Sequence, residues 1–278
     1  MKYFLIYLKS ILVGLANIIP GLCSATVCLV VGIYDDLVYA LSLDFGFIKK
    51  NWLKLLCIGL GVLTGIFGFS FLVSYLMTNY KISSIYLFLG LLIGSMPLLI
   101  KKANSLPSDV KNKKTKYIIA ILFFVLMALT ILIKQPNANQ IISTLNFASI
   151  MLIFVGGIIG AFAVILPGIS GGFLLLLMGI YATLINAIKT FNIITLLPFI
   201  CGMIIGLILG AKFMKKMLNK YPKLTYYAII GLVFGSLIAL FPGFRTGWLI
   251  VLDVLIFIVG FVIAYILSIH KKVKNKEN

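Results

Sequence analysis

Acidic residues are nearly missing from this chain: six Asp and Glu stand against 24 Lys and Arg, and only 11% of the 278 residues carry charge. A soluble domain of this length needs far more charge to cover its surface. A water-bathed globular fold is therefore excluded. Cysteine is scarce too. Cys23, Cys28, Cys57 and Cys201 lie in apolar segments at unrelated spacings, so neither a disulfide framework nor a metal motif follows, and they are expected to fill the core. The single histidine, His270, sits among lysines at a helix end and is expected to be solvated. Arg245 is the only arginine. Nothing in the composition asks for a metal or a cofactor.

Apolar length is what the chain has, at 62% hydrophobic residues. Runs long enough to span a bilayer, on the order of 20 residues each, recur at Leu53–Met77, Ser84–Ile100, Tyr117–Ile133, Thr195–Ala211, Tyr226–Phe241 and Trp248–Ile269. Two longer stretches, Phe4–Leu41 and Phe147–Ile188, are interrupted near the middle by Pro-Gly. The fold class is an all-α polytopic membrane protein whose partner is the bilayer. A net charge of +18 could point to nucleic acid, but its distribution excludes that partner. The cations fall in short loops between apolar spans, which is how membrane topology is encoded. One loop holds Lys101, Lys102, Lys111, Lys113, Lys114 and Lys116. A second holds Lys212, Lys215, Lys216, Lys220 and Lys223, and a tail holds Lys271, Lys272, Lys274 and Lys276. The first apolar run resembles a signal peptide ending near Ala25. Its recurrence inside the chain argues against cleavage, which would remove half of a duplicated motif.

The duplication appears on sliding the sequence by 147 positions. Gly14–Gly21 then meets Ala161–Gly168, with Pro20 on Pro167 and Gly21 on Gly168, and Gly32-Ile33-Tyr34 meets Gly179-Ile180-Tyr181. A second match runs at 141: Gly61/Gly202, Gly65/Gly206, Tyr80/Tyr221, Tyr86/Tyr227, Gly90/Gly231, Gly94/Gly235 and Ser95/Ser236. A small deletion in the polar connection after the hairpin is expected to separate the two offsets. Collinear Pro, Gly and Tyr pairs carry this argument, because apolar pairs coincide by chance.

Topology follows from parity. With all three Lys clusters cytoplasmic, the Pro167-Gly168 segment must cross an even number of times, as a helical hairpin entering and leaving on one face. The first hairpin starts and ends inside. The second starts and ends outside, where cations are few, Lys134, Lys189 and Arg245 among them. Two similar segments entering from opposite faces make an inverted repeat. Phe4–Ile19 would form only ~24 Å of helix against a hydrocarbon core of ~30 Å. A re-entrant hairpin fits that length better than two full crossings. Repeat 1 is assigned to 1–116, with its hairpin at 4–41, spans at 53–77 and 84–100 and a basic cytoplasmic loop at 101–116. A linking transmembrane helix and outside loop occupy 117–146. Repeat 2 covers 147–246, with its hairpin at 147–188 and spans at 195–211 and 226–241. A last transmembrane helix and basic cytoplasmic tail occupy 247–278.

The Pro-Gly tips are the chemical candidates. Proline breaks the helical ladder, and glycine permits the turn and close approach of a ligand to the backbone. After Pro167-Gly168-Ile169-Ser170-Gly171-Gly172 a helix over Phe173–Ile180 is expected. Its first N–H groups lack intrahelical acceptors and suit an anion such as phosphate. Ser170 can cap that helix or donate to the anion. Irregular backbone in lipid must be buried in protein or line a wet cavity. Two tips from opposite faces would meet near the midplane. The alternative is that these are only kinks and close-packing positions, as Pro and Gly are in many membrane helices.

Gly14-Leu-Ala-Asn17-Ile-Ile-Pro20-Gly21, the following Gly32-Ile33-Tyr34-Asp35, and Ile165-Leu-Pro167-Gly168-Ile-Ser170-Gly171-Gly172 resemble the bacterial polyprenyl-phosphate transporter family over nearly the whole chain. The resemblance implies translocation of undecaprenyl phosphate, the carrier lipid of cell-wall and surface-polymer synthesis, back to the cytoplasmic leaflet of a bacterial plasma membrane. Its implied substrate-binding residues are Asn17, Pro20, Gly21, Ser24 and Thr26 in the first hairpin, and Pro167, Gly168, Ser170, Gly171 and Gly172 in the second. The family pattern at both tips is Pro-Gly-x-Ser-Gly-Gly. Here the first tip has Cys23 for the serine and Ser24-Ala25 for the glycines. Ser24 and Thr26 would supply hydroxyls instead, or another lipid is preferred.

Asp35, Arg245 and Asp253 are the candidates for coupling, to protons or sodium, or for gating. Asp35 either carries a proton, if burial raises its pKa, or is a solvated residue at the hairpin base with Asp36. Asp253 is either interfacial or paired with Arg245. The lysines encode topology and can also attract anionic headgroups. The main rival is an enzyme. Undecaprenyl-diphosphate phosphatases use similar hairpins, but phosphoryl transfer needs a cation beside a nucleophile or base. Neither hairpin holds an arginine, and no Glu precedes Glu277, so no catalytic residue is assigned. An ion-coupled carrier of another anion is the remaining alternative.

Overall fold

The computed structural model describes residues 2–18, 23–107, 114–130, 142 and 146–274. Among the described residues the structure is helical: α1 (Lys2–Ile18), α2 (Ser24–Val31), α3 (Tyr34–Leu41), α4 (Phe45–Asn79), α5 (Lys81–Ser105), α6 (Thr115–Leu129), α7 (Phe147–Ile165), α8 (Gly171–Leu177), α9 (Tyr181–Lys189), α10 (Ile193–Lys220), α11 (Pro222–Leu240) and α12 (Leu249–Lys274). Helices α4, α5, α7, α10 and α12 are long and apolar enough to cross a bilayer, and α8 and α9 form a pair bent by 108°. Outward-facing Phe67, Phe71, Ile121, Ile194 and Val259 are exposed. Such a surface is stable against lipid rather than water.

Several positions paired in the sequence share backbone detail. Gly32 and Gly179 adopt φ of 78° and 71°, a left-handed conformation that glycine reaches without strain. Each ends its helix and turns the chain into Ile33-Tyr34 or Ile180-Tyr181. Cys23 and Ser170 precede α2 and α8 with φ/ψ of −85°/114° and −88°/117°. Asp44 and Asn192 cap α4 and α10 by accepting from the N–H of Phe47 and Thr195. Such a cap satisfies one of the unpaired donors at a helix start.

Helix pairing repeats as well. A Cβ on Gly61 or Gly65 of α4 would lie 2.5 Å from the carbonyl oxygen of Tyr7 or 2.3 Å from that of Ile11 in α1. On Gly202 or Gly206 of α10 it would lie 2.1 Å from the Phe154 oxygen or 2.2 Å from the Ile158 oxygen in α7. Phe154 and Ile158 are the 147-shifted counterparts of Tyr7 and Ile11. Small residues thus let the backbones touch. In both pairs residue numbers rise together, so α1 runs parallel to α4 and α7 parallel to α10. Likewise Gly90 and Gly94 of α5 meet Phe257 and Phe261 of α12, while Gly231 and Gly235 of α11 meet Ala120 and Phe124 of α6. Helix α6 therefore stands to α11 as α12 stands to α5.

The change of offset falls between Asp44/Asn192, 148 positions apart, and Gly61/Gly202, 141 apart. The extra residues are taken up in the first turns of α4, where Asn51 leaves helical geometry at φ −118°, ψ 20°. Two expectations need correction. The helix after the second tip is Gly171–Leu177 rather than Phe173–Ile180, because Gly179 stops it early. Cys201 is exposed rather than core-filling, whereas Cys28 is buried.

Candidate functional site

The second tip is built where the arms of the first hairpin reach it. Helix α7 ends at Ile165 beside Gly210 of α10. Helix α10 continues to Lys220, ~15 Å further at 1.5 Å per residue. The tip thus stops well short of the end of its neighbour. Gly168 turns there with φ of 91°, against Leu232 at the middle of α11. The returning strand of chain retraces α7, with Gly171 and Leu175 against Gly160 and Ile180 against Gly156.

Helices α2 and α3, with Cys23 just before α2, hold this tip by three hydrogen bonds. Thr26 Oγ1 accepts from the Gly168 N–H at 3.0 Å, and the Tyr34 hydroxyl donates to the Ile165 carbonyl at 2.8 Å. The Cys23 thiol lies 3.6 Å from the Leu166 carbonyl as a weak donor. Thr26, Tyr34, Pro167 and Gly168 are all buried. Broken helix ends leave polar backbone groups that need such partners. Tyr34 and Cys23 were absent from the candidates read in the sequence, and the repeated Gly-Ile-Tyr was the signal pointing to Tyr34.

The other candidates divide. Ser24 is half-buried at the start of α2. Asn17 is exposed, and its amide donates to the Val13 carbonyl at 3.0 Å within α1. Pro20 and Gly21 lie outside the described residues, as do Lys111, Lys113, Lys134 and Lys276. Ser170 occupies the cap position of α8, but its side chain makes no cap bond. The first bond of that helix runs from the Leu174 N–H to the Ser170 carbonyl, so the N–H groups of Gly171, Gly172 and Phe173 precede it without intrahelical acceptors. Gly171 is buried, and a Cβ there would sit 2.5 Å from the Gly160 carbonyl oxygen. Its smallness serves packing against α7. Gly172 is the open position, with no neighbour nearer than 3.9 Å to its Cβ site.

Charged groups collect at two ends of the molecule. At one, Lys102 lies 2.6 Å from Asp35, whose other oxygen accepts from the Tyr226 hydroxyl at 3.1 Å. The Lys102 ammonium also sits 4.7 Å over the Tyr226 ring, a favourable position for a cation. Lys54 pairs with Asp36 at 2.6 Å and Lys215 with Asp44 at 2.7 Å. Lys215 and the Phe47 N–H hold the Asp44 carboxyl below the ordinary aspartate range. Lys223 donates to the Leu106 carbonyl, so the two large basic loops share this basic face. Asp35 is thus held between a cation on α5 and a phenol on α11, with part of its side chain still exposed. At the other end Asp253 is fully buried. It accepts from Arg245 Nε at 2.7 Å and from the Ser83 hydroxyl at 2.7 Å, and a second Arg245 nitrogen contacts it.

A family model described as undecaprenyl phosphate translocase-like matches residues 13–252, which takes in the second hairpin, most of the first, and Asp35, Lys102, Tyr226 and Arg245. The chain belongs to that family. Among its curated relatives, a Vibrio cholerae protein named polyprenyl-phosphate transporter is 28% identical over 260 residues, covering 88% of this chain and 80% of that protein. A Staphylococcus aureus protein of the same name is 30% identical over 275 residues, covering 94% of each. No solved structure matches significantly.

Proposed function

We propose that this family member moves a polyprenyl phosphate, foremost undecaprenyl phosphate, across a bacterial plasma membrane, returning the carrier lipid to the cytoplasmic leaflet. The observation that carries the reading is the convergence of the hairpins: Thr26 and Tyr34 of the first grip the Pro167-Gly168 tip of the second. A single irregular site is thereby held inside a bundle of membrane helices. The phosphate headgroup is taken by the tip segments, Asn17, Pro20, Gly21, Ser24 and Thr26 on one side and Pro167, Gly168, Ser170, Gly171 and Gly172 on the other. Gly172 is the point of closest approach. The prenyl chain stays in lipid.

The repeats are proposed to be inverted, with re-entrant hairpins. Support comes from parallel packing. Helix α1 runs with α4, whose start lies on the basic face, while α7 runs with α10, whose end lies there. The basic face, with its excess of lysine, is proposed to be cytoplasmic, with the C-terminus on the same side. The protein acts as a carrier and not an enzyme, since the tips offer backbone and hydroxyl groups and no cation beside a nucleophile. Coupling to protons or sodium acts through Asp35, because neutralising it would release Lys102 and Tyr226 together. Arg245 and Asp253 brace the opposite end. Reconstitution in liposomes with undecaprenyl phosphate confined to one leaflet tests the proposal. Transfer accelerated by the protein supports it, and transfer at the protein-free rate rejects it.

A further inference from the structure

Two hairpin arms that match in sequence and in backbone are packed in opposite ways. Helix α2 lies against α5 and α7, and α3 lies against α10. Their counterparts α8 and α9 do not pack along α11, α1 or α4 among the described residues. Side chains show the same contrast. Tyr34 is 3% exposed and its counterpart Tyr181 40%; Val38 is 1% exposed and Ile185 37%. Local geometry is not the cause, because the turns at Gly32 and Gly179 and the caps at Cys23 and Ser170 agree closely. Nor is hydrophobicity, since Ile185 is as apolar as Val38.

The difference lies in what fastens the base of each arm. Asp44, just past α3, pairs with Lys215 of α10 at 2.7 Å. The Tyr39 hydroxyl donates to the Asn219 side-chain oxygen, and Lys215 sits 5.3 Å over the Tyr39 ring. The equivalent positions in the second arm are Asn192 and Asn186, and those in α4 are Ser74 and Thr78. No ion pair can form among these four. One arm therefore has a charged latch across the repeat interface and the other has an uncharged version of the same seat.

We infer that this structure is one of two states related by the internal symmetry of the repeats. In the other, α8 and α9 dock on α11, α1 and α4 while α2 and α3 lift away. The Asp44–Lys215 latch sets the balance between them. Here the arm based on the basic face is docked across the interface, on α5, α7 and α10, whereas the arm based on the opposite face packs on α7 and α10 of its own half. The two exchange because the first arm holds the second tip: lifting α2 withdraws Thr26 from Gly168, which frees the second tip to move with its own arm. This inference rests on the inverted-repeat part of the proposed function and is independent of which lipid is carried. Its failure would leave the lipid reading standing, and a failed lipid assay would leave the exchange standing.

The test measures two distances in the full chain in lipid, by pulsed electron resonance between spin labels. The four native cysteines are replaced by alanine. One label pair, at Ala40 and Lys216, reports on α3 against α10. The other, at Asn186 and Thr78, reports on α9 against α4. Asp44→Asn is the perturbation, because asparagine at 192 already performs the same cap in α10, so only the charge is lost. Lys215→Gln is the second variant and leaves the Asp44 cap untouched. With the latch intact the first distance is short and the second long. Either variant is expected to lengthen the first and shorten the second together, raising the short fraction of the second pair about twofold to fivefold. Lengthening of the first pair alone would mean local loosening and overturns the inference. So does movement of the second pair alone, or of neither.

Discussion

Removing Arg245 should damage the protein more than removing its partner, although Asp253 is the buried member of the pair. Asp253 is fully buried, while a quarter of the Arg245 side chain reaches solvent. Arg245→Met leaves an ionised carboxylate in the interior with only the Ser83 hydroxyl as donor. Stranding a buried charge costs about 3–5 kcal/mol. Asp253→Leu leaves a guanidinium that can swing toward water, so the penalty falls to about 1–2 kcal/mol. Replacing both, as Arg245→Met with Asp253→Leu, removes the stranded charge and should come within about 1 kcal/mol of the parent or better. The coupling energy is then roughly 3–7 kcal/mol. The assay is thermal unfolding of the four proteins in one detergent, followed by loss of the monodisperse species. The expected order of stability is parent and double variant together, then Asp253→Leu, then Arg245→Met. Additive losses in the double variant would refute the reasoning, as would a less stable Asp253→Leu.

Further expectations concern the tips and the latch. Thr26→Val keeps the shape but strands the buried Gly168 N–H, at a cost of about 1–3 kcal/mol, whereas Thr26→Ser keeps the acceptor; thermal stability of the pair should separate them. Gly172→Val should block lipid transfer with little loss of stability, since its Cβ site is open. Gly171→Val should lower stability through its clash with α7, and equal stability of the two would show that the site is misplaced. The Asp44 carboxyl is held below the ordinary aspartate value of about 3.9, chiefly by Lys215. A depressed folded pKa means its contribution is present above the unfolded value and is lost only as pH falls below it. The distance between α3 and α10 should therefore be constant from about pH 5 to 8, and a change in that window would assign the titration to another group.

Much of this architecture was legible because the landmarks of the duplication are residues with special backbone roles. Pro167, Gly179, Gly202 and Tyr221 fix turns, close contacts and helix starts, so their repeats survive in the sequence. The relation between α6 and α12 was not legible. Ala120 and Phe257 occupy the same place against Gly231 and Gly90, yet both helices are nearly uniform apolar runs with few landmarks. The Asn51 kink was hidden for a related reason, since inserted residues continued a helix instead of breaking it. At the site, the sequence pointed to the tips but not to their neighbours. Tyr34 and Thr26 reach the second tip across more than 130 positions, a distance over which no local pattern speaks. Glycine positions were ambiguous in the same way: that Gly171 packs and Gly172 stays open depends on the path of α7. The difference in docking between the hairpin arms is a tertiary property, and only the charges on Asp44 and Lys215 hinted at it.

Leaflet-to-leaflet transfer of undecaprenyl phosphate in liposomes tests the central claim most directly. The parent protein and Gly172→Val are reconstituted at equal, verified levels, with the lipid confined to one leaflet and its arrival in the other measured over time. The parent is expected to speed transfer well above the protein-free rate, and Gly172→Val to fall to that rate while remaining folded. Parent transfer no faster than in empty vesicles would contradict the claim that this protein carries a polyprenyl phosphate. Full activity in Gly172→Val would contradict the claim that the second tip receives its headgroup.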